Sequence, residues 1–342
     1  MCCLFGLIDV KHTLSPREKN RILSILGTTC EARGTDATGY SYTSKGKLHI
    51  YKKAVPAHQL SFNIPRNAHC IMGHTRMTTQ GAATKIQNNH PFPGHLPGCH
   101  FSLAHNGVLS NDHTLRILEK LPCTNVETDS YVAVQLIEKN KTLDFSSLRK
   151  MAETVQGTFT FTILDQRNNL YIVKGNNPLC LYQFKEGFFL YASTQAILDA
   201  ALDAMGYERK LHEQIEIDDG EILKINPSGE ITRAYFKAPA PKTFNYYTDY
   251  YSFYNYGETW QPVTTPPTGY RKEILRVGEM LGIPSAELEY LHQTGMPDFE
   301  LEECIYDQQY RTICLYDAGY YDAMEEYPYE YDYFEDRPRA YA

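Results

Sequence analysis

Met1-Cys2-Cys3-Leu4-Phe5-Gly6-Leu7-Ile8-Asp9-Val10 opens the chain, and its second residue decides how the rest is read. Met1 stands before a small side chain, so its removal is expected, leaving Cys2 at the amino terminus. One residue then carries both a thiol and a free α-amine. A thiol of ordinary pKa, about 8.5, needs a base to act as a nucleophile at neutral pH. The α-amine titrates near about 7.7–8.0 and can be that base without any histidine. Taken alone, Cys2 reads more simply as a small apolar residue at the start of a buried strand. Five later segments weigh against that simpler reading.

These are Arg33-Gly34-Thr35-Asp36-Ala37-Thr38-Gly39, Gly73-His74-Thr75-Arg76-Met77-Thr78-Thr79-Gln80-Gly81, Asn88-Asn89-His90-Pro91-Phe92, Leu103-Ala104-His105-Asn106-Gly107-Val108-Leu109-Ser110-Asn111 and Glu127-Thr128-Asp129-Ser130. With Cys2 and Leu4-Phe5-Gly6, this ordered set resembles the glutaminase domain of the class II glutamine amidotransferases, which are N-terminal nucleophile hydrolases. The resemblance covers roughly residues 2–235. It implies class α+β and a four-layer αββα sandwich, with L-glutamine as substrate, no cofactor and no metal.

Hydrolysis of a side-chain amide requires a nucleophile, a stabiliser for the oxyanion and a proton donor for departing ammonia. By resemblance, Cys2 is the nucleophile, and Asn106 and Gly107 supply a carboxamide N–H and a backbone N–H to the oxyanion. Arg76 matches the partner of the substrate carboxylate, a role its planar fork suits. Asp129 matches the acceptor of the substrate ammonium, and Thr79, beside Arg76, is taken as a further substrate-binding residue. Arg33, Asp36 and His90 are supporting residues; an Arg–Asp pair bracing a turn explains Arg33 and Asp36 equally well. His74, His90 and His105 are expected to fix loops through ring hydrogen bonds. Cys3, Met77, Gln80 and Tyr131 depart from residues common in relatives, so no particular synthase branch is indicated.

The 342 residues carry a formal net charge of −8. No apolar run approaches the 18–20 residues, roughly, that span a bilayer. Asp9, Lys11 and His12 interrupt the N-terminal apolar stretch, so no signal peptide is expected and a cytoplasmic location is. Nine cysteines without a Cys-x-x-Cys pair indicate neither a disulfide framework nor a zinc ribbon. His95, Cys99 and His100 sit near Pro91-Phe92-Pro93-Gly94, which reads as a turn-rich loop and not as a metal corner.

Patterning predicts strands at Cys2–Val10, Ala37–Thr43, Lys47–Lys52, Cys70–Arg76, Gly157–Asp165, Leu170–Lys174, Leu179–Phe184 and Phe188–Ala192. It predicts helices at Pro16–Glu31, Asp129–Asn140, Leu148–Gln156 and Thr194–Met205, the last capped by Ser193 or Thr194. A closing hairpin is expected from Gly220–Ile225 and Glu230–Phe236. The glutaminase domain is therefore assigned to 2–237 and an extension to 238–342. From 240 onward the extension holds 19 Asp+Glu against 7 Lys+Arg and 18 of the 27 tyrosines. Arg271–Leu291, broken at Gly282-Ile283-Pro284, is the one convincing helical stretch in it. The rest reads as a partly packed, otherwise disordered tail or as a docking element.

No sugar-isomerase domain, phosphoribosyltransferase pyrophosphate loop or ATP-pyrophosphatase Ser-Gly-Gly signature appears. The acidic surface disfavours direct nucleic-acid binding, and no membrane contact is expected. The functional expectation is a glutaminase that works through a Cys2 thioester and delivers ammonia to a separate synthase. The alternatives are a stand-alone hydrolase of γ-glutamyl or related amides and a catalytically silent interaction protein.

Overall fold

The apolar run Cys3–Asp9 forms strand β1, buried at every residue, in the middle of a seven-stranded sheet. Its alternation sends Cys3, Phe5 and Leu7 into one apolar layer and Leu4 and Ile8 into another, as expected when successive side chains of a strand point to opposite faces. A strand buried on both faces must lie inside a layered structure. In this computed structural model, residues 2–207, 212–237, 270–280, 282–296, 298–306 and 308–323 are described, and the chain divides into two compact units between 258 and 259.

In the first unit β1 is followed by α1 (Pro16–Cys30), β2 (Ala37–Ser44), β3 (Lys47–Lys53), β4 (Cys70–Arg76), β5 (Phe92–Leu96), β6 (Cys99–Leu109), α2 (Asp112–Leu118), α3 (Tyr131–Asn140) and α4 (Phe145–Thr154). Then come β7 (Gly157–Asp165), β8 (Leu170–Lys174), β9 (Cys180–Phe184), β10 (Phe188–Ala192), α5 (Gln195–Met205), β11 (His212–Gln214), β12 (Glu221–Ile225) and β13 (Ile231–Tyr235). One sheet has the order β11-β9-β10-β1-β4-β2-β3 and the other β13-β12-β8-β7-β6-β5. Neighbouring strands are antiparallel in both. Helices α1 and α5 cover the outer face of the first sheet through Leu23, Leu26, Leu198 and Leu202, against Phe5, Leu7 and Leu190. Helices α3 and α4 cover the second through Val132, Ile137 and Leu148, against Leu103, Phe161 and Val173. Leu4, Met72, Leu164, Ile172 and Phe189 fill the space between the sheets. This is a four-layer helix–sheet–sheet–helix sandwich of class α+β, as the sequence predicts.

Each fully buried Leu, Ile or Phe contributes about 1.5–3 kcal/mol, so apolar layering supplies most of the stability. Polar contacts set alignment instead. Three of them cross between the sheets: Ser41 Oγ with Ser102 Oγ at 2.7 Å, Thr43 Oγ1 to the Asp165 carbonyl at 3.1 Å, and His74 Nε2 with the His105 carbonyl at 3.1 Å. At the start of α1 a capping box joins Ser15 and Glu18, with Pro16 opening the helix. Lys19, wholly buried, pairs with buried Asp9 at 2.9 Å and donates to the Ala68 carbonyl at 2.7 Å, fixing α1 against β1.

Several expectations are corrected. Pro91–Gly94 is not simply loop: Phe92–Leu96 is strand β5, where Pro93 is tolerated because β5 is an edge. Its partner β6, eleven residues long, and the short helix α2 were not predicted. Of the two proposed caps for α5, Thr194 receives the Ile197 N–H, while Ser193 Oγ receives the Leu4 N–H of β1.

In the second unit, helices α6 (Tyr270–Met280) and α7 (Ser285–Gln293) are followed by α8 (Asp298–Tyr306), α9 (Gln308–Asp317) and α10 (Tyr320–Ala323). Ile274, Val277, Leu288, Leu291, Leu301, Cys304 and Leu315 are buried there. The extension thus has more helix than Arg271–Leu291 alone; the expected break at 282–284 separates α6 from α7. Expectations for 238–269 and 324–342 lie outside the described residues. No helix among the described residues is long and apolar enough to cross a membrane.

Candidate active site

Cys2 enters β1 from its N-terminal end, and its carbonyl accepts Arg33 Nε–H at 2.9 Å. Arg33 sits in the turn after α1 and is 1% exposed. Its Nη2 also donates to Asn106 Oδ1 on β6 at 3.3 Å. One guanidinium therefore joins the residue that starts the first sheet to a residue in the second. Because the amide oxygen of Asn106 faces Arg33, its Nδ2 faces away, and that nitrogen is buried without a hydrogen-bond partner. An unsatisfied buried donor costs about 1–3 kcal/mol, so this is a position prepared for an acceptor. The Asn106 carbonyl is tied in turn by Asn177 Nδ2 at 2.9 Å, and the Asn177 carbonyl by Thr160 Oγ1 at 2.6 Å.

Gly107 follows with φ +140°, where a Cβ would lie 2.0 Å from the Thr158 carbonyl oxygen. Asn106-Gly107 is thus part of a strand and not a turn dipeptide, and its glycine is sterically required.

The Cys2 side chain is partly exposed, and its Sγ lies 3.6 Å from the Met77 carbonyl. Partial burial pushes its thiol pKa up, opposed by the positive amino terminus, the Met77 backbone, Arg76 and Arg33. Arg76 ends β4 and is 2% exposed; it donates to Asn89 Oδ1 at 2.6 Å and to the carbonyls of Gln80 and Gly81 at 2.6 and 2.7 Å. These bonds engage three of its five N–H groups in shaping the loop after β4 and leave two for another acceptor. Burial draws the Arg76 pKa down, against the opposite pull of Cys2, Asp36 and Asp129.

Asp129 precedes α3 and is buried. It accepts the Leu109 N–H at 2.6 Å and Ser130 Oγ at 3.2 Å, while its own N–H donates to Gln80 Oε1 at 3.1 Å. Asp36 is exposed and accepts the Thr78 N–H at 2.7 Å. Gly34 brings its turn against Arg76 so closely that a Cβ would meet the Arg76 carbonyl carbon at 2.4 Å. Thr79 is exposed in the same loop, with no side-chain bond to the other predicted residues.

Of the three histidines expected to make ring hydrogen bonds, His74 and His105 do so and His90 does not. His74 bonds the His105 carbonyl, and His105 Nδ1 meets Ser130 Oγ at 2.8 Å. His90 makes no ring hydrogen bond: both its nitrogens are buried and unpartnered, with its ring 4.2 Å from that of His74 and 4.4 Å from that of Phe92. Its contacts are those of packing against these two rings. Burial lowers the pKa of all three, that of His74 to about 3. Sequence reasoning missed the positioning roles of Gln80, Asn89 and Asn177. The Gly175-Asn176-Asn177-Pro178 segment was the available signal for Asn177, since paired carboxamides before a proline suit a backbone-bonding loop.

No protein-family model matches the chain. It is 28% identical over 235 residues to the glutamine–fructose-6-phosphate aminotransferase (isomerizing) of Geobacillus kaustophilus, covering 65% of this chain and 35% of that relative. It is 30% identical over 255 residues to the enzyme of the same name from Listeria monocytogenes, covering 70% of this chain and 39% of that one. The chain thus spans little more than a third of the length of these curated relatives. Among solved structures it is similar to the glutamine phosphoribosylpyrophosphate amidotransferase of B. subtilis, with TM-score 0.55, 21% identity, and 70% of this chain and 50% of that chain covered. At that identity the structural likeness speaks for the fold, and the sequence relatives speak for the family. Through its first unit the chain belongs to the class II glutamine amidotransferases, with the N-terminal nucleophile hydrolase fold.

Proposed function

We propose that this domain hydrolyses the side-chain amide of L-glutamine and passes the ammonia to an acceptor enzyme on a separate polypeptide. The observation that carries the reading is the buried, unpartnered Asn106 Nδ2, held outward by the same arginine that bonds Cys2. Once Met1 is removed, the Cys2 amine takes the thiol proton and the thiolate attacks the amide carbon. The oxygen becomes an oxyanion facing Asn106 Nδ2 and the Gly107 N–H. Collapse to a thioester breaks the C–N bond, and the proton held on the amine leaves with ammonia. Water then attacks the thioester and releases glutamate. Arg76 and Asp129 read the carboxylate and ammonium of the substrate. Thr79 contributes from the loop; Arg33, Asp36 and His90 keep the surrounding turns in place.

A cytoplasmic setting fits a catalytic thiol at the amino terminus. A separate acceptor is supported by the acidic, tyrosine-rich composition beyond 237, which suits docking on a basic surface. The test is ammonia and glutamate release from glutamine by protein whose mass shows Cys2 as the first residue. Cys2→Ala should abolish release, as should one extra residue before Cys2 with the thiol intact. Full turnover with a blocked amine would refute the proposed base.

A further inference from the structure

Cys3 and Cys30 are both 0% exposed, one on β1 and the other at the last residue of α1, and they share a hydrogen bond with sulfurs 2.9 Å apart. An S–S bond is about 2.05 Å long, so bonding requires the sulfurs to approach by about 0.9 Å, a local adjustment. Around them is a knot of contacts behind the nucleophile. The Cys30 carbonyl accepts the Arg33 N–H at 3.0 Å and Thr75 Oγ1 at 3.0 Å, and Thr75 is the cross-strand partner of Cys3. Nothing in the glutamine chemistry uses either thiol.

We propose that Cys3 and Cys30 form a reversible intramolecular disulfide that clamps the C-terminal end of α1, and with it the Arg33 turn, to the nucleophile strand. The oxidant is a peroxide, small and neutral enough to reach the pair through local opening of the helix end. The Cys3 sulfur attacks one peroxide oxygen and gives a sulfenic acid and water. The Cys30 sulfur then attacks the sulfenic sulfur, forming the S–S bond and releasing a second water. Two thiols and one hydrogen peroxide become one disulfide and two waters, with two electrons passed to the peroxide. The order follows the environment. Burial opposes ionisation of Cys3, but its bond to Cys30, the Arg33 charge and Ser193 together draw its pKa down, while burial and the shared bond push Cys30 up. The attacking thiol is thus the more acidic one. Burial makes formation slow and afterwards shields the bond from bulky thiol reductants.

The test uses the full chain, incubated with hydrogen peroxide, unfolded, alkylated at its remaining thiols and mapped by mass spectrometry. The expected result is a cross-linked peptide pair containing Cys3 and Cys30, lighter by two hydrogens and separated by dithiothreitol after unfolding. The melting temperature of the oxidised protein should rise by roughly 5 °C or more, since the bond closes a loop of nearly thirty residues. Cys30→Ser should remove both effects. Should that variant not fold, the map of the unsubstituted protein decides alone. Recovery of Cys3 and Cys30 as alkylated thiols, while exposed Cys123 in the same sample is oxidised, would overturn the proposal. So would a cross-link from Cys2 to either residue, or a cross-linked form that melts lower. None of these readouts depends on glutamine being the substrate.

Discussion

Arg33 illustrates how a residue without direct chemistry can set the quality of a site. Its Nη2 bond occupies the amide oxygen of Asn106 while its Nε bond to the Cys2 carbonyl holds the guanidinium in place, so the orientation of the carboxamide is dictated and not chosen by the substrate. Asn106→Ala should lower kcat by roughly 10²–10³, the usual cost of one oxyanion donor, with a much smaller effect on KM. Arg33→Met should also act on kcat, by roughly tenfold or more, because the amide is then free to turn its oxygen inward. Steady-state kinetics of the two variants and their double mutant check this. If Asn106 and Arg33 work as one unit, the double mutant loses no more than Asn106→Ala alone. Gly107→Ala places a methyl 2.0 Å from the Thr158 oxygen at φ +140° and should cost more than about 2 kcal/mol in urea unfolding. At this scale the sequence showed which residue types were needed. It did not show that the oxygen of Asn106 is spoken for, because that depends on a contact between positions 33 and 106.

The legible elements were β1, β4 and β7, buried along nearly their whole length, and α1 and α5, whose buried residues recur at three-to-four spacing. Strand β6 was missed because Cys99-His100-Phe101-Ser102 and His105-Asn106-Gly107 look polar and turn-like, although Ser102 and His105 are buried and bonded across the sheets or to the loops around them, and Asn106 is buried with both its oxygens bonded and only its Nδ2 left open. That polar burial has a titratable consequence. His74, His90 and His105 carry folded pKa values below the ordinary 6.5, with desolvation as the main cause and His74 at about 3. A group depressed in the fold binds a proton more readily in the unfolded chain. Its contribution is therefore complete above about pH 6.5 and declines as pH falls toward about 3. The urea midpoint should drop steadily from pH 7 to pH 4.5, and His74→Asn should flatten that slope. A midpoint level across the range would show that these imidazoles are not held neutral. The Thr194 cap gives a further check: Thr194→Ala should cost about 1 kcal/mol, the typical value of a lost N-cap.

On the scale of the whole molecule, two units with separate apolar interiors account for the described residues. A chain ended after Lys237 should keep its melting transition and its glutamine hydrolysis, because every residue assigned to the chemistry precedes position 130. Loss of hydrolysis in a soluble, folded product of that length would assign part of the active site to the extension. The second unit was less legible than the first. Several of its buried positions, Ile274, Leu288, Leu301 and Leu315, are scattered among tyrosines and acids, so no broad apolar stripe marks helices α8 and α9.

The three polar contacts between the sheets bear on the same scale. Cys2 and Arg76 ride on one sheet, Asn106 on the other, and Asp129 on the helical layer packed against the second. An apolar interface by itself is greasy: it resists separation far better than it resists sliding. One residue of slip along a strand is about 3.3 Å, enough to carry Asn106 Nδ2 out of reach of a group bound at Cys2. Ser41–Ser102, Thr43–Asp165 and His74–His105 act as dowels between two plates, adding little to cohesion while removing the play between them. Small apolar replacements such as Ser41→Ala with Ser102→Ala would then leave the melting temperature nearly where it was and still blunt the enzyme, a machine assembled with full strength but looser tolerances.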